Sequence, residues 1–384
     1  MTNTIPDLLK RLDQVVRIPS VSSTSAETDM SNEPIINHLA DYLESLGFSN
    51  EIVPCNTPGK FNLISTLGSG PGGLVLAGHT DTVPYDNELW SQDPFALTEK
   101  DGKLFGLGIT DMKGFFPIAI EAIRDLVKED FKEPLIVLAT ADEETSMEGA
   151  RILAEMGKPR ARSAVIGEPT GLKPVRTHKG ILMDAIRLLG QSGHSSDPSL
   201  GRNALEGMYQ VIGDLMQYRK EIQQKYQNDL FEIPYPTLNL GSIHGGDNPN
   251  RICGHCELQF DVRLTPGMHI DTIRNEIEQR VKAIAEPLGL EFELVKKFTG
   301  VPAFFAEENS PLLQAAESLT GHSGISVAFG TEGPYLQQLG MDTIIMGPGN
   351  IDQAHQPDEY MSLEMIEPAI RTIRQLVIKN CIEC

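Results

Sequence analysis

Histidine and acidic residues directly follow several apolar segments of the sequence, at the points where buried strands would end. The run LVLAG leads into His79 and Asp81, which project to the same side of an extended strand about 7 Å apart. The other positions of this kind are Asp111, Glu143, Glu144, Glu168 and His355. Imidazole and carboxylate groups gathered at one edge of a sheet suit zinc or a similar divalent ion, and this many ligands suit two ions.

Each of these residues also has an ordinary structural explanation when it is taken alone. Asp111 can be a cap or turn aspartate, and Asp142 to Glu144 can form a solvated helix start. A bound cation would instead relieve the repulsion among those three consecutive acids. Because the pattern recurs at five strand ends, we interpret it as one metal site in which Asp81 accepts a hydrogen bond from His79.

Such a site requires several strands that end at the same edge of a sheet. Apolar runs at 74–78, 134–140 and 164–167 alternate with helical patterns that begin near Phe115 and Gly149. This alternation predicts an α/β domain with a mostly parallel sheet and helices on both faces. Functional groups in such a domain lie at the carboxyl ends of the strands.

The pattern changes after Lys179, which predicts an inserted domain. Residues 180–287 contain three alternating, strand-like segments and two long helical segments, typical of an α+β domain with an antiparallel sheet. Helix and strand alternation returns in the C-terminal part of the chain. We therefore expect residues 1–179 and 288–384 to form the two parts of one catalytic domain.

The composition excludes some classes of partner. The formal net charge of the 384-residue chain is -21, which would repel nucleic acid and anionic membranes. No apolar run reaches the roughly 18 residues that a membrane-spanning helix needs, and the first residues do not resemble a signal peptide. These features predict a cytoplasmic protein.

The five cysteines include two CxxC pairs, Cys253 with Cys256 and Cys381 with Cys384. A zinc site built from all four thiolates is one possibility. The strand-like pattern around the first pair would, however, place its sulfurs on opposite faces, and the second pair lies at the chain end. We therefore favour free thiols in a reducing compartment.

The motifs together resemble the M20 family of two-metal amidohydrolases and peptidases over essentially the whole chain. They are LAGHTDTVP, GLGITDMKG, TADEETSMEGA, IGEPTGLKPVRTHKG, GQSGHSSDP, NRICGHCELQFDVR and GPGNIDQAHQPDEY, in this order. The resemblance implies two zinc ions per subunit, with cobalt as a possible substitute. It also implies the ligands: His79 and Glu168 for one ion, Glu144 and His355 for the other, and Asp111 for both.

The resemblance further implies the roles of residues around the ions. Glu143 would be the general base, Asp81 would be a catalytic neighbour of His79, and the peptide bond after Asp111 would be cis. Residues 180–287 would form a lid and dimerisation domain, in which His194 reaches the site of the neighbouring subunit of a homodimer. The implied substrate-binding residues are Asn250, Arg263, Gly330, Thr331 and Glu332.

The implied reaction is hydrolysis of the acetyl amide of N2-acetyl-L-ornithine to L-ornithine and acetate, in arginine biosynthesis. The alternatives are desuccinylation of succinyl-diaminopimelate or hydrolysis of another N-acyl amino acid by the same kind of site. Glu332, in FGTEGPYLQQ, stands where desuccinylases of the family carry a serine. Its carboxylate would attract the ornithine ammonium and repel a succinyl carboxylate.

Two other interpretations of the function are less consistent with the residues. A binding protein without catalysis would not need Glu143, which the resemblance leaves outside the ligand set. A serine hydrolase would need a G-x-S-x-G elbow, which the sequence lacks.

Overall fold

The structure, a computed structural model, describes residues 4–383, with side chains from Pro6 onward. The helices are α1 Thr4–Val16, α2 Glu33–Ser45, α3 Phe115–Ile123, α4 Glu148–Met156, α5 Ala204–Lys225, α6 Ile270–Ala285, α7 Pro311–Thr320, α8 Gly333–Gln338 and α9 Ile366–Val377. The strands of the first half are β1 Ser49–Pro54, β2 Phe61–Leu67, β3 Leu74–His79, β4 Thr98–Lys100, β5 Lys103–Phe105, β6 Leu135–Thr140, β7 Ser163–Pro169, β8 Val175–His178 and β9 Gly180–Leu189. The remaining strands are β10 Thr237–Gly245, β11 His255–Leu264, β12 Glu291–Lys296, β13 Phe304–Phe305, β14 Ile325–Val327, β15 Asp342–Gly347 and β16 Tyr360–Ser362.

The chain divides into two compact units. The first unit contains the chain up to Arg176, Ala306–Ile325 and the chain from Thr331 onward. The second unit contains Thr177–Phe305 and Ser326–Gly330. The second unit thus extends beyond residue 287, because β12 pairs antiparallel with β9 and completes its sheet.

The main sheet of the first unit has a parallel centre. Its strands follow the order β1, β2, β6, β3, β7, β15 and β8. Strand β3 pairs parallel with β6 and β7, and β7 pairs parallel with β15. The outer pairs β1 with β2, β2 with β6 and β15 with β8 are antiparallel. The predicted mainly parallel α/β sheet is therefore confirmed.

The central strands explain why functional groups gather at one edge. Every residue of β3, β6 and β7 is buried, as is usual for parallel strands with near-continuous apolar sequences. The parallel register places His79 opposite Thr140, at the ends of β3 and β6. Side chains immediately after these strands therefore share one edge of the sheet.

Helix α2 shows how local sequence sets the helices around this sheet. Its buried residues include Ile35, Ile36, Leu39 and Leu43, which share one face at helical spacing. The chain leaves the helix before Gly47, whose φ of +93° favours glycine.

The second unit is built on a separate antiparallel sheet. The strand order is β10, β11, β9 and β12, and each neighbouring pair is antiparallel. Strand β11 alternates between buried and partly exposed residues from Cys256 onward, so one face contributes to a core that also contains residues of α5 and α6. This arrangement confirms the predicted α+β unit with its antiparallel sheet.

The described cysteines are free, but their positions differ from the expectation. Cys253 precedes β11, and both Cys253 and Cys256 are buried in the core of the second unit. The assumption of a continuous strand through both residues was wrong, because β11 begins at His255. Cys381 is buried in the first unit, and Cys384 lies outside the described residues.

Among residues 4–383, no helix combines the length and the hydropathy that are needed to cross a bilayer.

Candidate metal centre

His79 lies at the end of β3 with its side chain fully buried. Its Nδ1–H donates a hydrogen bond to the backbone carbonyl oxygen of Asp81 at 3.0 Å. This bond leaves Nε2 to face Asp111 Oδ1 at 3.1 Å and Glu168 Oε1 at 3.8 Å. A histidine held at one ring nitrogen by a backbone carbonyl is oriented to bind metal through the other.

Asp81 supports the site through atoms other than those predicted from the sequence. Its carboxylate Oδ1 lies 3.7 Å from His79 Nδ1, farther than the backbone carbonyl oxygen that accepts the hydrogen bond. The carboxylate instead accepts the backbone N–H groups of Glu143 and Glu144 at 3.3 and 3.1 Å. Asp81 therefore connects the end of β3 to the turn after β6.

Asp111 lies in a loop that a buried carboxylate holds from behind. Glu359 accepts three backbone N–H groups of this loop, from Gly108 at 2.9 Å, Thr110 at 2.7 Å and Asp111 at 3.0 Å. The peptide bond between Asp111 and Met112 is cis, as the family resemblance implies. These contacts fix the backbone from which the Asp111 carboxylate projects.

Asp111 occupies the middle of the cluster. Its Oδ1 faces His79, whereas its Oδ2 lies 3.4 Å from His355 Nε2. His355 Nε2 also lies 3.0 Å from Glu144 Oε2. The two oxygens of one carboxylate thus point to different histidines, which suits a ligand shared between two ions.

The donor set fits a divalent metal. Ligand atoms of His79, Asp111 and Glu144 lie within 4.8 Å of one another. Glu168 Oε1 is buried and has no hydrogen-bond partner among the described residues, as expected for an atom reserved for a cation. Two imidazoles and three carboxylates form a nitrogen and oxygen donor set of the kind that binds zinc.

The protonation of the cluster reflects its excess of buried negative charge. Burial opposes the charge on His79, but the Asp111 hydrogen bond and nearby carboxylates raise its pKa well above the ordinary value. Burial also opposes the charge on Asp111, yet hydrogen bonds from His355 and His79 lower its pKa. Hydrogen bonds to Asp111 and Glu144 raise the pKa of His355 to about 10. Protons on the imidazoles balance carboxylates that a metal ion would otherwise balance.

Burial has the opposite effect on the remaining acids. It raises the pKa of Glu143 and of Glu168 well above the ordinary value. It also raises the pKa of Glu332 to about 7. These carboxyl groups lie close enough to repel one another when they are ionised, and a bound cation would reduce that repulsion.

Thr331 and Glu332 belong to the first unit and are buried. Thr331 Oγ1 accepts the backbone N–H of Gly333 at 3.1 Å, just before α8. Glu332 Oε2 accepts a hydrogen bond from Thr140 Oγ1 at 2.9 Å, and its Oε1 has no described partner. Glu332 therefore lies behind the end of β6.

The other predicted site residues belong to the second unit: His194, Asn250, Arg263 and Gly330. His194 is exposed, with Nδ1 and Ser196 Oγ 2.7 Å apart, and the Asn250 carbonyl accepts the Ser195 N–H at 3.1 Å. Arg263 lies near the far end of β11 and donates to Asp261 at 3.2 Å. The second unit thus brings the loops of His194 and Asn250 together and separates them from Arg263 by the length of a strand.

The sequence did not single out Glu359 as a functional residue. The available signal was its place in the motif GPGNIDQAHQPDEY, four residues after His355. Its partners, the N–H groups of the Asp111 loop, are distant in sequence, and every residue type except proline carries such a group.

Comparison with known proteins identifies the family of this chain. A profile of the Peptidase family M20/M25/M40 matches residues 75–379. The chain belongs to this family. The M20 chain is 48% identical over 382 residues to an acetylornithine deacetylase of Proteus mirabilis (strain HI4320), covering 98% of each sequence.

Solved structures share the fold of this M20 chain. Aminopeptidase PepT from Bacillus cereus ATCC 10987 matches with a TM-score of 0.73 at 18% identity, over 96% of this chain and 97% of that one. A dinuclear metal binding peptidase of the M20 family from Bacillus subtilis matches with a TM-score of 0.65 at 15% identity, over 97% and 98% of the two chains.

Proposed function

We propose that this enzyme hydrolyses N2-acetyl-L-ornithine to L-ornithine and acetate. The observation that carries this proposal is the near-full-length similarity to an acetylornithine deacetylase, joined to a cluster of side chains that could hold a metal ion. Hydrolysis of an amide bond is the chemistry shared by the family and the relative. The step belongs to arginine biosynthesis on this proposal.

Five residues would hold two divalent ions, zinc in the first instance and cobalt as a substitute. They are His79, Asp111, Glu144, Glu168 and His355. Bound ions of this kind supply Lewis acidity toward a carbonyl oxygen and toward water. The two differently directed oxygens of Asp111 and the partnerless oxygen of Glu168 support this assignment.

Glu143 would transfer the proton during the reaction. The contacts with Asp81 fix the backbone of Glu143 beside the ligands and do not use its carboxyl group. A carboxyl group in this position accepts a proton from the attacking water and donates it to the leaving amine nitrogen. Its neighbour Glu144 points to His355 and fulfils a different role.

His194 would complete the site from the second subunit of a homodimer, where its imidazole donates a hydrogen bond to the developing oxyanion. Exposed apolar residues on α5 support a dimer through the second unit. They are Leu205, Tyr209 and Met216, of which Tyr209 is 77% exposed. Their spacing of four and seven residues places them on one side of the helix.

The remaining predicted residues would select the substrate. Glu332 would attract the ornithine ammonium through its partnerless Oε1, and Thr331 and Gly330 would supply loop contacts. Asn250 and Arg263 would bind the substrate carboxylate, for which a guanidinium fork is suited.

The cytoplasmic location of the protein is likewise a prediction from its composition.

The decisive experiment compares two substrates with one metal-free preparation. Protein stripped with a chelator is assayed on N2-acetyl-L-ornithine and on N-succinyl-diaminopimelate, before and after addition of zinc or cobalt. Metal-restored hydrolysis of the acetyl substrate alone supports the proposal. Preference for the succinyl substrate identifies a desuccinylase, and activity on neither contradicts both assignments.

A variant tests the selectivity residue separately. Glu332→Gln should reduce the preference for ornithine over an uncharged side chain, because it removes the negative charge while preserving the shape. An unchanged ratio of kcat/KM for N2-acetyl-L-ornithine and N-acetyl-L-norleucine would show that Glu332 does not select the substrate.

A further inference from the structure

Lys60 is a buried cation close to the candidate metal centre. It precedes β2, and only 2% of the residue is exposed. An ammonium group removed from water destabilises the fold by several kcal/mol unless it is paired. Its Nζ lies 2.7 Å from Asp29 Oδ1 and 2.9 Å from Asp142 Oδ1.

Asp142 begins the turn that carries Glu143 and Glu144. Its φ of +57° lies in the left-handed region, which is unusual for a residue with a side chain. Its carbonyl oxygen accepts the N–H of Ser146 at 3.0 Å and the N–H of Met147 at 2.6 Å. The conformation of Asp142 therefore helps to set the direction of the turn.

The turn is held from two sides. On one side the Asp81 carboxylate accepts the N–H groups of Glu143 and Glu144. On the other side Asp142 Oδ1 accepts hydrogen bonds from Lys60 and from Ser22 Oγ, the latter at 2.7 Å. Of these side-chain contacts, only Lys60 brings a positive charge.

Lys60 is charged under ordinary conditions. Burial lowers its pKa, but the hydrogen bonds to Asp29 and Asp142 outweigh this effect and raise it. Three consecutive acids follow β6 at Asp142, Glu143 and Glu144. A fixed ammonium beside the first of them directs Asp142 away from the metal ligands and leaves the other two to face the cluster.

We propose that Lys60 is a positioning residue for the hydrolytic reaction, acting through Asp142 to fix the turn that carries Glu143. Lys60 does not touch substrate or metal in this proposal, which rests on the proposed function for its effect on catalysis. The geometric part, control of the turn by Lys60, is independent of the substrate.

The test compares the kinetics and metal content of two variants, Lys60→Met and Lys158→Met. Lys158 also forms an ion pair, with Glu51 at 2.7 Å, but both side chains are about half exposed, at 44% and 49%. Displacement of a catalytic group by about 1 Å can reduce a rate by about 10²-fold. We expect Lys60→Met to lower kcat by about 10- to 100-fold with KM and metal content nearly unchanged, and Lys158→Met to have no effect.

A double variant shows whether Lys60 acts through Asp142. If it does, the kcat of Lys60→Met combined with Asp142→Asn should equal that of Asp142→Asn within about twofold. Fully multiplicative losses would contradict the proposed route.

Hydrogen exchange measures the turn without any assay of activity. Lys60→Met should accelerate exchange in a peptide spanning residues 141–147, whereas Lys158→Met should not. If the wild-type protein fails to hydrolyse the acetyl substrate, the proposed function fails while this comparison still decides the role of Lys60. Unchanged exchange and unchanged kcat, with only a lower melting temperature, would assign Lys60 a purely structural role.

A milder variant covers the case in which Lys60→Met does not fold. Ser22→Ala removes the other side-chain donor to Asp142 Oδ1, together with a 2.9 Å contact to Thr145 Oγ1 of the same turn, without leaving an unpaired buried charge. It should accelerate exchange of the same peptide and lower kcat by about 3- to 10-fold. No change in either quantity would overturn the proposal that side-chain contacts to Asp142 fix the turn.

Discussion

The predicted site residues are held very differently in the two units. In the first unit, His79, Asp111 and Glu168 are buried. A hydrogen bond to the Asp81 carbonyl orients the His79 ring, and Glu359 accepts the backbone N–H of Asp111. In the second unit, His194 and Asn250 are exposed, and their described contacts are made within and between their two loops. The first set is organised before substrate arrives, whereas the second set remains free to adapt to a substrate or a second subunit.

The largest effect should come from the proposed base in the organised set. Glu143→Ala should lower kcat by about 10²- to 10⁴-fold because proton transfer is lost, while metal content stays close to that of the wild type. Steady-state kinetics and metal analysis provide the measurement. Glu155→Ala, in an exposed part of α4, is the control.

Loss of metal from Glu143→Ala would make Glu143 a ligand and exchange its proposed role with that of Glu144. Glu144 would then be the proposed base and Glu143 the proposed ligand of this turn.

His194→Ala tests the adaptable set and should lower kcat by about 10²- to 10³-fold, because an oxyanion donor is lost. His244→Ala, an exposed histidine on β10 of the same unit, is the control. Mixing Glu143→Ala and His194→Ala subunits tests whether His194 acts across a dimer. Random reassortment should restore about a quarter of wild-type activity, since half of the dimers contain one complete site.

The absence of restoration in demonstrated hybrid dimers would place the action of His194 within its own chain.

Glu359→Gln should weaken metal binding by about 10- to 100-fold, as loss of an outer hydrogen-bond partner typically does. A glutamine amide has one accepting oxygen, whereas Glu359 uses both oxygens for N–H groups of the Asp111 loop. Competition with a chelator measures the affinity. Glu364→Gln, at an exposed residue after β16, should leave it unchanged.

An unaltered metal affinity in Glu359→Gln would show that the Asp111 loop keeps its shape without this carboxylate. The organised set would then depend less on the hydrogen bonds between Glu359 and the Asp111 loop than the structure indicates.

The smallest effect on the chemistry should come from the exposed face of α5. Tyr209→Glu should weaken a dimer by placing a charge where apolar area is buried, with dissociation measured by sedimentation. Leu89→Glu adds the same charge at an exposed residue of the first unit and should not alter association. A dimer unaffected by Tyr209→Glu would not use this face.

The grouping of His79, Asp111 and Glu144 could be predicted from sequence because each residue follows a recognisable strand or belongs to a specific motif. The run before His79 and the run before Glu143 both end at the same sheet edge, so linear position was enough to group them. The parallel centre of the sheet was predictable for the same reason.

The supporting contacts could not be predicted in this way. Glu359 and Lys60 act on backbone groups or side chains that are far from them in sequence, and neither contact leaves a periodic pattern. The hydrogen bond from His79 to the Asp81 carbonyl rather than its carboxylate depends on local torsions. The end of the second unit was placed too early because β12 carries only a short alternating pattern.

The discontinuity of the first unit has a consequence for synthesis of the chain. Strand β15, which lies between β7 and β8, and the residues His355 and Glu359 are all added after the second unit has been made. At typical elongation rates, roughly 10–40 s separate the emergence of Glu168 from that of His355. During this interval the nascent chain contains Asp111, Glu144 and Glu168 but not yet His355, so these acids lack the second imidazole of the candidate centre.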